Sequence, residues 1–189
     1  MSLGYAVWPG GEIAAGGLLL RPIRRQDLEP IRRWRNAQLE VLRQAAPLSA
    51  EDQQRYWEQV LAPEFGAAEP RQILVAAVKD GELVAYGGLV HIDWPSARAE
   101  VSFLAAEDIA ADPPRYCALF GEFLAALKRL AFDELGFHRL FTETYDLRPH
   151  HVAVLEAAGF GPEGRMIDHV RIGGRFVDSL LHGCVKDRG

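Results

Sequence analysis

Residues Pro113 to Gly136 constrain the fold of this chain more than any other stretch. Apolar side chains recur at Tyr116, Leu119, Phe120, Phe123, Leu124, Leu127, Leu130 and Ala131. That spacing places them on one face of an α-helix. Glu122, Lys128, Arg129 and Asp133 fall on the other face. Asp112 is placed to cap the start, Pro113 suits the first helical position, and Gly136 suits the stop. Strand-like runs flank the helix at Ala99 to Leu104 and Arg139 to Tyr145. A strand, a long helix and a second strand form a crossover unit. Ligands of such units bind where the first strand ends and the helix begins.

The 189 residues suffice for one well-filled domain. With 49% hydrophobic and 25% charged residues, the composition is that of a soluble globular protein. No apolar run approaches the roughly 20 residues that span a bilayer, and the N-terminus lacks a basic stretch followed by an apolar core. No membrane association and a cytoplasmic location are expected. The only cysteines, Cys117 and Cys184, imply no disulfide framework. The net charge of −5 argues against a nucleic-acid partner. Arginines cluster early, at Arg21, Arg24, Arg25, Arg32, Arg33 and Arg35, either as a solvated helix face or as a site for an anionic group.

In chain order, residues 1–17 read as a flexible arm and 18–189 as one domain. Leu18 to Ile23 is a strand. Asp27 caps a helix to about Gln38, and Ser49 with Asp52 opens a second helix to about Leu61. Strands at Gln72 to Val78 and Leu83 to Ile92 are joined by Asp80-Gly81. Ala97 to Ala105 is the strand before the central helix. After Arg139 to Tyr145 come a short helix, Pro149 to Ala157, and a hairpin of Arg165 to Ile172 with Arg175 to Val185, turning at Gly173-Gly174. The expectation is an α+β domain with a mixed, mostly antiparallel sheet of six to seven strands and about four helices.

This order resembles the GNAT superfamily of N-acetyltransferases. The run Leu155 to Phe160, then Glu163 to His169 and Gly174 to Asp178, is similar to the branch of ribosomal-protein-alanine acetyltransferases. Ile31 to Asn36 resembles a segment seen there and in acetyltransferases of nucleotide-linked amino sugars. The resemblance implies transfer of acetyl from acetyl-CoA to a primary amine of a small molecule, an amino sugar or a protein N-terminus. It implies acetyl-CoA in a splay between Ala99 to Ala105 and Arg139 to Tyr145. Phe103, Leu104 and Ala105 would hold the pantetheine arm by their backbone. The family's phosphate loop falls on Arg115 to Phe120, so Arg115, Tyr116, Cys117 and Ala118 would face the pyrophosphate. Arg115 matches that motif, while Ala118 and Phe120 stand where the family has a glycine and a small residue. Pro113 and Pro114 remove two amide donors upstream, and Asp112 adds a negative charge. A second reading is therefore a binding or regulatory module of the same fold that does not use acetyl-CoA.

Glu100 is the candidate base, since relatives keep a glutamate on this strand. The tyrosine that relatives use to protonate the thiolate is missing, because Val154 and Leu155 stand there. Tyr145, His150 and His151 lie nearby as candidate replacements, with Tyr145 and His151 taken as the catalytic candidates. Trp34, Arg35 and Asn36 end the first helix, which in the family borders the acceptor site, and His91 sits at a strand end beside the same cleft. His, Cys and acidic residues show no metal-ligand spacing, so no metal is expected. The assembly is expected to be a monomer or homodimer.

Overall fold

In the computed structural model, residues 4–44 and 46–186 are described. Eight strands form one sheet: β1 Ile13–Ala15, β2 Leu18–Pro22, β3 Ile73–Lys79, β4 Glu82–Asp93, β5 Arg98–Ala105, β6 Arg139–Tyr145, β7 Gly161–Ile172 and β8 Arg175–Val185. Their order is β1-β2-β3-β4-β5-β6-β8-β7. Each neighbouring pair is antiparallel except β5 and β6, which run parallel. The helices are α1 Leu28–Ala37, α2 Ala50–Tyr56, α3 Ala62–Glu64, α4 Glu107–Ala110, α5 Pro113–Arg129 and α6 Pro149–Ala157.

The central helix follows its sequence signals. Asp112 caps α5 by accepting the Arg115 N–H, and Tyr116, Leu119, Phe120, Phe123, Leu124 and Leu127 are all buried. A wider turn carries the helix on through Leu130–Glu134, and Gly136 leaves it at φ +70°. Asp80 and Gly81 both have positive φ, as a tight hairpin turn between β3 and β4 requires. Ser49 and Asp52 form the expected reciprocal cap of α2.

Two expectations need correction. Residues 4–17 are packed, not a loose arm: Tyr5 and Trp8 are each 1% exposed, and β1 pairs with β2. The Tyr5 hydroxyl accepts the Leu74 N–H at 2.8 Å, and its ring stacks on Phe65. Two aromatic anchors, each worth kilocalories when buried, hold a segment whose Gly and Ala content shows no period. β1 also makes the sheet eight-stranded rather than six or seven. Residues 1–3 lie outside the described residues. Asp27 does not cap α1. Its carboxylate turns back to a buried, two-pronged ion pair with Arg21, at 2.7 and 2.8 Å. Two more of the six early arginines pair with carboxylates at the surface, Arg25 with Glu58 and Arg32 with Glu29.

Candidate active site at the strand splay

The parallel pair β5 and β6 is joined only at Arg98–Arg139, Ala99–Leu140 and Glu100–Phe141. Beyond Glu100 the strands part, because β5 stays on β4 up to Ala105 while β6 stays on β8 up to Tyr145. The result is a window through the sheet, part of a cleft of about 640 Å³. The Ala97 carbonyl faces β6, and the Ala106 N–H donates to Val84 of β4. Strand alternation then turns the backbone of Val101 and Phe103 to the open edge and that of Ser102 and Leu104 to β4. Phe103 thus turns its backbone to the splay, whereas Leu104 turns its backbone to β4. The Ala105 carbonyl accepts from Gln38.

Alternation also sorts side chains to the two sheet faces. On the face of α1 and α2, Glu100 is 7% exposed and accepts from Arg43 Nη2 at 2.7 Å and Nη1 at 3.4 Å. Arg43 also reaches Glu143 of β6 at 3.2 Å, so one guanidinium bridges the mouth of the splay. His91 Nε2 lies 3.6 Å from Glu100. The ring is aimed there by an irregularity in β4, where His91 takes φ +47°, unusual for a residue with a side chain. Tyr145 lines the same cleft. Arg43 and Glu143 had no sequence signal of their own, since only the fold brings the loop after α1 over β6.

On the face of α5 and α6, Phe103 packs among Tyr116, Phe120 and Phe123. The Tyr116 hydroxyl is 2.7 Å from His151 Nδ1 and accepts from Arg148 Nη1 at 3.0 Å. We assign the Tyr116 proton to Nδ1, which lets the hydroxyl donate to one neighbour and accept from the other, and hence the proton of the neutral imidazole to Nε2. Burial pushes the Tyr116 hydroxyl up to about 12. Thr142 of β6 lines the cleft, is 4% exposed, and its Oγ1 has no hydrogen-bond partner among the described residues.

Burial, then the Arg148 guanidinium and the neighbouring His150 and His182 rings, holds the His151 imidazole well below its ordinary pKa. The folded protein keeps this ring neutral, while the unfolded chain binds a proton below about pH 6.5. The associated stability is complete above that pH and falls as pH drops toward the lowered value. The unfolding free energy from urea titration is expected to decline on acidification through this window, by up to about 1.4 kcal/mol per pH unit. His151→Gln should flatten the decline; an unchanged slope would show that the ring does not titrate on unfolding.

The remaining predicted residues scatter. Trp34 belongs to the core. Arg35 lines the cleft but donates to the Tyr86 hydroxyl and to Gln44. Asn36 spends its amide on Leu48 and Gln44, pinning the segment that carries Arg43. The helix start departs furthest from expectation. Tyr116 is buried against His151, Cys117 faces the His150 carbonyl, Ala118 is exposed on the helix, and Arg115 pairs with Asp108 at 3.2 Å. Pro113 and Pro114 have no N–H, and the Arg115 N–H is taken by Asp112. The residues fit the thioester arm of acetyl-CoA at the β5 edge and do not fit its pyrophosphate at α5.

A family model of the acetyltransferase (GNAT) domain matches residues 20–181. No curated protein matches the chain. Among solved structures, spermidine N-acetyltransferase from Vibrio cholerae in complex with CoA and spermine superposes with a TM-score of 0.76 at 18% identity, covering 89% of this chain and 95% of that one. A chimera of the Vibrio cholerae spermidine N-acetyltransferase SpeG and hSSAT gives 0.73 at 20% identity, covering 90% and 96%. At such identities the likeness shows the fold.

Proposed function

This chain belongs to the acetyltransferase (GNAT) domain family, and from that premise we propose that it is an N-acetyltransferase acting on a primary amine. The observation that carries the reading is the splay itself. An open backbone edge at Val101 and Phe103 lies directly beside a buried carboxylate, Glu100, with an imidazole 3.6 Å away. Acetyl-CoA, when bound, supplies the thioester. The chain's residues then hold the arm along β5, orient the amine and move protons. Glu100, with His91 at the cleft mouth, accepts the proton of the acceptor nitrogen. On the opposite face His151 offers Nε2–H toward the leaving sulfur, a role better suited to it than to Tyr145, which is on the acceptor side. Glu100 and Glu143 favour an acceptor that arrives as a cation, with Arg43 drawn aside. Spermine in the Vibrio cholerae complex is such a cation, and amino sugars or an N-terminal amine, the acceptors of the branch this sequence resembles, are others.

The test is release of free thiol from acetyl-CoA in the presence of polyamines, amino sugars and peptides beginning with alanine, with mass spectrometry of the acceptor. Amine-dependent thiol release and an acetylated acceptor are expected. Folded protein that acetylates none of these would favour a non-catalytic module.

A further inference from the structure

We propose that the acyl donor is recognised through its pantetheine thioester arm alone, so that an S-acyl pantetheine without the nucleotide serves as well as acyl-CoA. This rests on the acetyltransferase reading above. Three observations on different elements support it. The β5 edge presents backbone at Val101 and Phe103 that has no partner among the described residues, the kind of donor and acceptor row that an extended amide-bearing arm pairs with. Facing it across the splay, Thr142 Oγ1 is buried and without a partner among the described residues. A buried hydroxyl in that state calls for a polar ligand atom. Where the family's phosphate loop falls, the start of α5 offers no free amide: two prolines lack the N–H and Asp112 takes the next one. Asp108 and Asp112 add negative charge there, and Asp108 already holds Arg115.

Helix α6 closes this end further. His151 stacks on Phe120 at 4.3 Å and bonds Tyr116, so aromatic side chains occupy the space beside the first turns of α5. In the reaction the acceptor nitrogen forms its bond to the acyl carbon as the carbon–sulfur bond breaks. The nitrogen's proton passes to the Glu100 carboxylate, and the sulfur leaves as the thiol by taking the His151 Nε2 proton as Tyr116 passes its own proton to Nδ1, which leaves a phenolate beside Arg148.

Calorimetry on the full chain tests this with three probes: coenzyme A, pantetheine and adenosine 3′,5′-bisphosphate. A helix-start cradle giving two charge-assisted bonds would favour coenzyme A over pantetheine about a hundredfold or more. Here the two are expected to agree within about threefold, and the nucleotide should give no heat. Asp112→Ser with Pro113→Ala and Pro114→Ala restores donors without breaking the helix. It should tighten coenzyme A by about tenfold or more and leave pantetheine unmoved. Coenzyme A binding about thirtyfold tighter than pantetheine, or heat from the nucleotide, overturns the proposal but leaves the acetyltransferase reading standing. Binding of neither thiol to folded protein overturns both. Free acetyl-pantetheine against an acetylated carrier protein tells the source: equal turnover points to the free thioester, and about a tenfold preference for the carrier to a protein-borne arm. Transfer from acetyl-CoA only would again overturn the proposal.

Discussion

Replacing Glu100 by Gln is expected to lower acetyl transfer by roughly 10²–10⁴-fold while thiol binding is unchanged. The substitution keeps the size of the side chain and still accepts a hydrogen bond from Arg43, which now donates to both carboxylate oxygens. It removes the carboxylate that faces His91 at 3.6 Å. If Glu100 takes the amine proton directly, His91→Asn should cost far less than Glu100→Gln. If the carboxylate orients the imidazole, the two variants should fall together, since members of one proton-transfer unit are not additive. Turnover by Glu100→Gln equal to wild type across the neutral pH range would remove this residue from the chemistry. Arg43→Ala is informative beside it. The loop arginine is about half exposed, so its loss should alter acceptor KM more than kcat.

Gly88→Ala is expected to be the most damaging small substitution for the fold. Gly88 lies in β4, between β3 and β5, at φ +134°, a conformation open essentially to glycine alone. A Cβ there would meet the Ile73 carbonyl oxygen at 2.1 Å. Neither that backbone nor β4 can yield without loosening the sheet. Overpacking at about 1–3 kcal/mol and backbone strain at about 1–3 kcal/mol act together. In a domain of this size each kcal/mol moves Tm by about 2–4 °C, so a fall of roughly 4–24 °C is expected, or no folded protein. A thermal scan showing wild-type Tm would mean that β4 relaxes around the added methyl group. The neighbouring Gly87 is as tightly placed, since a Cβ there would lie 2.0 Å from the Ser102 carbonyl oxygen of β5. The glycine pair therefore brings β5, the strand of Glu100, close to the sheet centre.

Much of the fold was legible in the chain itself. Helix α6 and strands β6 and β8 have the bounds their residue patterns predict. The central helix begins at Pro113 under Asp112, as its capping residues require. These features rest on residues a few positions apart, where period, cap and turn chemistry act locally. The succession of elements was enough to point to the acetyltransferase family. Tertiary structure decided the rest. Tyr5 and Trp8 look ordinary in a Gly- and Ala-rich stretch, and become anchors only when β1 reaches the sheet edge. Arg43 lies 57 positions from Glu100 and reaches it only through the loop after α1. Tyr116, in line for a phosphate, bonds His151 instead, because α6 docks on the first turns of α5. Leu104 and Phe103 are adjacent and equally apolar, yet only one turns its backbone to the open edge. Which edge of β5 stays unpaired is set by where β6 leaves it, and that is a matter of packing between elements distant in the chain.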